Sequence, residues 1–147
     1  GFWRVRITFG PIFIDHIGIA TNELEPASRF WELIGLVQGD SDEVVADQGV
    51  KTRFFSTSTP FDGKPSKIEL LEPTSAETPI GRFLSKRGPG IQQLCFRVGN
   101  LEGLLAHLME NGVRLIDEVP RLGAGGMKIA FVHPSSTGGV LVELAQA

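Results

Sequence analysis

Ile12-Phe13-Ile14-Asp15-His16-Ile17-Gly18-Ile19-Ala20 is an apolar run interrupted by one carboxylate and one imidazole. Its length and β-branched content read as a strand. Leu24, Ala27, Phe30, Trp31 and Ile34 follow at helical spacing, with Thr21 or Asn22 as N-cap and Gly35 as the stop. The same order returns further along. A shift of 77 residues carries Ile14 onto Ile91, His16 onto Gln93, Leu24 onto Leu101, Trp31 onto Leu108 and Gly35 onto Gly112. A three-residue deletion then carries Glu69 onto Glu143.

Working outward, Val50 to Ser56, Lys67 to Glu72, Ile91 to Val98, Lys128 to Val132 and Gly139 to Leu144 read as strands, and Pro79 to Lys86 as a short helix. Pro60, Asp62, Gly63 and Pro65 mark a turn. The expected architecture is α+β: two βαβββ modules forming an open, cup-like mixed sheet, with helices 22–34 and 100–111 outside. It is one domain over 12–147, with modules at approximately 12–73 and 90–147 joined by 74–89. A single module would expose one apolar sheet face, and pairing two gives a shared core.

Composition narrows the function. The net charge is -3, so no basic surface argues for nucleic acid. No apolar run approaches the roughly 18 residues that span a membrane. No secretory signal is read at the start, where Gly1-Phe2-Trp3 looks like a trimmed end. One cysteine, Cys95, excludes an internal disulfide, and a reducing cytoplasm is the expected compartment.

Four polar residues interrupt apolar strands at repeat-related places: His16 and Glu69, then Gln93 and Glu143. Alternation puts Ile14, His16 and Gly18 on one face, and Ile91, Gln93 and Cys95 on the corresponding one. A buried strand carboxylate is costly unless it is paired or binds a cation. One imidazole, two carboxylates and an amide oxygen form a mostly hard ligand set. It suits an octahedral divalent ion (Mn²⁺, Co²⁺, Ni²⁺ or Mg²⁺) better than a closed tetrahedral zinc site. His107 reads as a helix-surface residue, and His133 as ordering the turn it opens. Cys95 reads as a small buried filler without a cationic neighbour. Gly123 to Gly126 lacks the lysine and following helix of a phosphate-binding loop.

Asp15-His16-Ile17-Gly18-Ile19-Ala20 resembles the opening strand of vicinal-oxygen-chelate proteins, the group of glyoxalase I and the extradiol dioxygenases. Ile68-Glu69-Leu70-Leu71-Glu72-Pro73, Thr78-Pro79-Ile80-Gly81-Arg82-Phe83-Leu84, Arg121 to Gly126 with Lys128 to Phe131, and His133 to Leu144 resemble, more narrowly, the methylmalonyl-CoA epimerase family. The resemblance runs from Ile12 onward. It implies a metal-dependent epimerase acting at C2 of an acyl-CoA, through an enolate and proton transfer. Glu143 is then the first choice for an acid/base role, with Glu72 or a lysine in reserve. It also implies a homodimer, a common state of this fold. Two departures stand out. The family has His-His where this chain has Gln92-Gln93, the second being a ligand. Some epimerases also carry a glutamate base after Gln-Gly-Val-x, where Gln48-Gly49-Val50-Lys51 here leads to Thr52. Another glyoxalase-type lyase or isomerase, and a non-catalytic binding protein of the same fold, are the competing readings.

Overall fold

The computed structural model describes residues 9–59 and 63–147. Gly1-Phe2-Trp3, and Pro60 and Asp62 of the expected turn, lie outside the described residues. The first half runs β1 (Ile12–Ala20), α1 (Leu24–Leu33), β2 (Val37–Gln38), β3 (Glu43–Val45), β4 (Val50–Ser56) and β5 (Lys67–Pro73). Helix α2 (Pro79–Arg87) leads into β6 (Gly90–Val98), α3 (Leu101–Glu110), β7 (Arg121–Leu122), β8 (Lys128–Val132) and β9 (Leu141–Gln146). Among the described residues the nine strands form one mixed sheet in the order β2-β4-β5-β1-β6-β9-β8-β7, with β3 also on β4.

The sheet carries the repeat in its register. β1 lies parallel to β5, β6 lies parallel to β9, and β1 meets β6 antiparallel at the centre. His16 sits opposite Cys95 and Gly18 opposite Gln93. Glu69 sits opposite Gly18, and Glu143 opposite Cys95. The 77-residue shift exchanges these pairs, so the halves are related by a pseudo-two-fold axis between β1 and β6.

One face of the sheet carries α1 and α3, while Ile80 of α2 packs with Leu71 and Ala20 on the other side. Leu24 of α1 packs with Phe55 and Leu70. Leu101 and Leu105 of α3 pack with Val98, Ala130, Val132 and Leu144. Alternation then turns Phe54, Glu69, Phe131 and Glu143 to the opposite face. That face lines one cavity with residues of β1, β3, β4, β5, β6, β8 and β9, so the sheet curls around it.

The expected α1 stripe is only partly buried. Trp31 and Ala27 pack inward, whereas Phe30 and Ile34 are exposed. Neither Thr21 nor Asn22 caps the helix. Glu23 holds the N-cap position without a side-chain bond. Asn100 does cap α3, accepting from the Gly103 amide at 3.0 Å. Both helices fall short of the expected spans. β2, β3 and β7, at two or three residues each, are too short to show alternation and went unread.

Candidate metal centre and active site

Strict alternation fails in the strand that matters most, and the failure builds the site. The β1–β6 register slips between Ile14 and His16, and again between Gly18 and Ile19. Asp15 is the extra residue on β1, and Gln92 the extra residue on β6. Ile14 and His16 therefore do not share an environment: Ile14 is 46% exposed and His16 only 6%. Ile91, likewise, is exposed while Gln93 and Cys95 are buried. A bulge re-aims side chains and lets consecutive residues reach the same region. Asp15 uses that freedom: its Oδ2 lies 2.7 Å from His16 Nδ1.

Asp15 is itself held by Arg97, whose Nη1 donates to Oδ1 at 2.9 Å. The His16 hydrogen bond, reinforced by Lys67 and Arg97 against the cost of burial, lowers the Asp15 carboxyl to about 2. An ionised Asp15 accepts, so Nδ1 carries the proton and donates. Nε2 of His16 is then the nitrogen turned to the cavity. It lies 3.2 Å from Glu69 Oε1 and 3.2 Å from Glu143 Oε1. Among the described residues it has no aligned hydrogen-bond partner, although it is fully buried. Gln93 approaches the same point, its Nε2 donating to Glu69 Oε1 across a long 3.5 Å. Gly18 makes room for it: a Cβ there would come within 2.5 Å of Gln93 Cγ.

The four residues expected to act together thus converge, and all are at least 94% buried. Burial pushes the Glu69 carboxyl up, only partly countered by His16. Burial also disfavours a charged His16, but Asp15, Cys95, Glu143 and Glu69 outweigh it and raise its pKa. Charge balance tests the fit to a cation. Asp15 is balanced by Arg97. With both carboxylates ionised, an imidazolium would leave Glu69 and Glu143 one positive charge short. A divalent cation beside a neutral imidazole balances both carboxylates, and the orphaned Nε2 supplies its lone pair. The donor set fits such an ion.

Donor atoms of Asp15, His16 and Cys95 also lie within 4.8 Å of one another, a second group able to meet a metal. Burial pushes the Cys95 thiol up to about 12, so it stays protonated and is a poor ligand. Cys95 is a buried filler, as expected, although it has a histidine, His16, directly across from it. His133 orders its turn, accepting from the Ser135 amide at 3.0 Å. His107 stacks near Phe9, with ring centroids 5.2 Å apart. Glu72 follows Leu71 on the face opposite to Glu69's and does not line the cavity.

The cavity holds about 330 Å³, enough for the acyl end of a ligand. Glu43, Thr52, Phe54 and Lys67 line it beside the four residues. Glu43 and Lys67 were missed in the sequence. Glu43 lies on a three-residue strand, and Lys67 looks like an ordinary strand-end lysine.

A family model described as the glyoxalase/bleomycin resistance protein/dioxygenase superfamily matches residues 15–131. An uncharacterized protein, YqjC, of Bacillus subtilis (strain 168) is 39% identical over 133 residues, 90% of this chain and 91% of that one. The mitochondrial methylmalonyl-CoA epimerase of Bos taurus is 32% identical over 143 residues, covering 94% of this chain and 78% of that one. A solved structure of a single-substitution variant of Streptomyces coelicolor methylmalonyl-CoA epimerase, in complex with 2-nitronate-propionyl-CoA, has a TM-score of 0.85 at 34% identity. It covers 91% of this chain and 96% of that chain.

Proposed function

The chain belongs to the glyoxalase/bleomycin resistance protein/dioxygenase superfamily and, within it, to the methylmalonyl-CoA epimerase family; from that premise we propose that it interconverts the C2 epimers of methylmalonyl-CoA. The observation that carries this reading is the Nε2 of His16, without an aligned hydrogen bond among the described residues and buried between Glu69 and Glu143 at the cavity floor. His16, Glu69, Gln93 and Glu143 would hold a divalent ion there: Co²⁺, Mn²⁺, Ni²⁺ or Mg²⁺, with Co²⁺ and Ni²⁺ favoured by the imidazole. Bound there, such an ion supplies Lewis acidity for the thioester and carboxylate oxygens of the substrate, which eases loss of the C2 proton.

The protein's residues do the rest. Asp15 and Arg97 fix the His16 ring. Gly18 admits the Gln93 side chain. Phe54 sets its ring edge-on to His16, with centroids 5.5 Å apart, and shields the floor from water. Glu143 moves the C2 proton. The domain organisation follows from the same reading: modules 12–73 and 90–147 act as one unit, because each supplies half of the floor. A homodimer in the cytoplasm completes the proposal. Among the described residues no helix is long and apolar enough to cross a membrane.

The test is C2 proton exchange on methylmalonyl-CoA in deuterated water, with and without added divalent ions. Metal-stimulated exchange with inversion supports the reading. Tight acyl-CoA binding with neither metal uptake nor exchange would make the chain a binding protein instead.

A further inference from the structure

Inversion at one carbon needs proton carriers on both faces of it, and the floor supplies only Glu143. Among the described residues the titratable side chains lining the cavity number six: Asp15, His16, Glu43, Lys67, Glu69 and Glu143. Asp15 is bound to Arg97 and His16, and His16 and Glu69 belong to the floor cluster. Glu43 and Lys67 remain. Lys67 is the register partner of His16 and acts on Asp15, so it stands on the floor side, suited to a substrate carboxylate.

Glu43 stands elsewhere. It lies directly across from Thr52 in the β3–β4 pair, so the two side chains share a face. Thr52 is 2% exposed and lines the cavity, which turns Glu43 toward the same space. Thr52 Oγ1 also donates to the Glu43 carbonyl at 3.4 Å, pinning the edge strand. At the rim the Glu43 carboxylate accepts from the Gly125 amide at 3.0 Å. Gly125 has a φ of +67°, a left-handed conformation that glycine adopts without strain. The carboxylate is thereby held at the mouth, where β3 of the first half meets the glycine turn of the second.

We infer that Glu43 is the second proton carrier of the reaction, serving the face of C2 opposite to Glu143. The inference rests on the epimerase reading. In one direction Glu143 takes the C2 proton. The C–H electron pair becomes the C1–C2 π bond, and the thioester carbonyl pair moves onto oxygen. Protonated Glu43 then delivers its proton to the other face of C2 as the pairs return. In the other direction the two carboxylates exchange roles. No electron is gained or lost overall.

The experiment follows hydrogen exchange and configuration separately, for each epimer, in deuterated water with Co²⁺-loaded protein. In Glu43→Gln, inversion should fall by about 10²- to 10⁴-fold. One epimer should still exchange its C2 proton with retention, and the other should not. Co²⁺ affinity by titration should match wild type, because Glu43 is not a ligand. Glu43→Asp should keep measurable inversion. Several results overturn the inference: undiminished inversion in Glu43→Gln, equal loss of exchange from both epimers, or one-sided exchange appearing in Lys67→Met instead. A wild-type protein that exchanges neither epimer would overturn the epimerase reading as well. Wild-type inversion that survives Glu43→Gln overturns this inference alone.

Discussion

The two halves of the sheet place equivalent residues at equivalent points and give them different chemistry. Each central strand carries one bulged residue, Asp15 on β1 and Gln92 on β6, and the two are 77 positions apart. Each bulge precedes a floor residue, His16 or Gln93. In the first half the bulge forms a relay in which Arg97 holds Asp15 and Asp15 holds His16. In the second half both residues are neutral amides, and the buried Oε1 of Gln92 has no partner among the described residues. Duplication preserved where side chains point, down to the register slip. It did not preserve which half carries the polarised ligand. The second half supplies instead Glu143, the floor glutamate assigned to proton transfer.

The sharpest way to break this comparison is to neutralise the two floor carboxylates in turn. Glu143→Gln should lower kcat by about 10²- to 10⁴-fold with KM nearly unchanged, because the amide still offers an oxygen but cannot take a proton. Glu69→Gln should act mainly on cation affinity, with a much smaller loss of kcat. Steady-state kinetics at saturating Co²⁺ check both. Equal losses in kcat would mean that the halves share the chemistry evenly.

The bulges offer a second contrast. Asp15→Asn removes the carboxylate that fixes the His16 tautomer, and loss of such a partner typically costs 10- to 100-fold in metal affinity, so about that loss is expected here. Gln92→Ala, at the equivalent point, should leave the affinity close to wild type. Calorimetric titration with Co²⁺ measures both. A comparable loss in Gln92→Ala would show that the second bulge also steers its neighbour.

Much of this was legible beforehand. The 77-residue offset is carried by long strands and by the α1 and α3 stripes, whose periodicity survives substitution. The four floor residues stood out because a charged or amide side chain in an apolar strand is costly. The bulges were not legible. Strict alternation grouped Ile14 with His16, and only the pairing shows the slip that buries one and exposes the other. Glu43 was hidden for another reason: its strand is three residues long, and its role depends on a glycine turn 82 positions away.

Gln93→His makes the two halves more alike. A second imidazole should tighten Co²⁺ and Ni²⁺ binding relative to wild type. It also adds a proton that must leave before binding. Affinity should therefore fall more steeply than in wild type as pH drops below about 6.5. Titrations on either side of that value check the sign. Equal affinities and equal pH slopes would place Gln93 outside the coordination sphere.

The smallest effect concerns the helix-covered face, where the halves also part. Beneath α3 the second half is apolar, with Ala130 opposite Leu144. At the matching point the first half has Arg53 opposite Leu70. Arg53 is only 7% exposed, and it donates to Ser28 at 3.0 Å and to both oxygens of Asp42 at 2.8 Å. Arg53 holds the Asp42 carboxyl below its ordinary 3.8. A carboxyl lowered on folding adds stability above its unfolded pKa, and that stability disappears as pH falls through the folded value. Asp42→Asn should therefore lower the melting temperature at neutral pH and flatten its decline between the unfolded and folded pKa. The pair is partly solvated, so about 1 kcal/mol is expected, or roughly 2–4 °C in Tm for a chain of this size. Thermal melts across the acid range, wild type against Asp42→Asn, measure the difference. Parallel curves at all pH values would mean that the Arg53–Asp42 pair adds nothing to the stability of the first half.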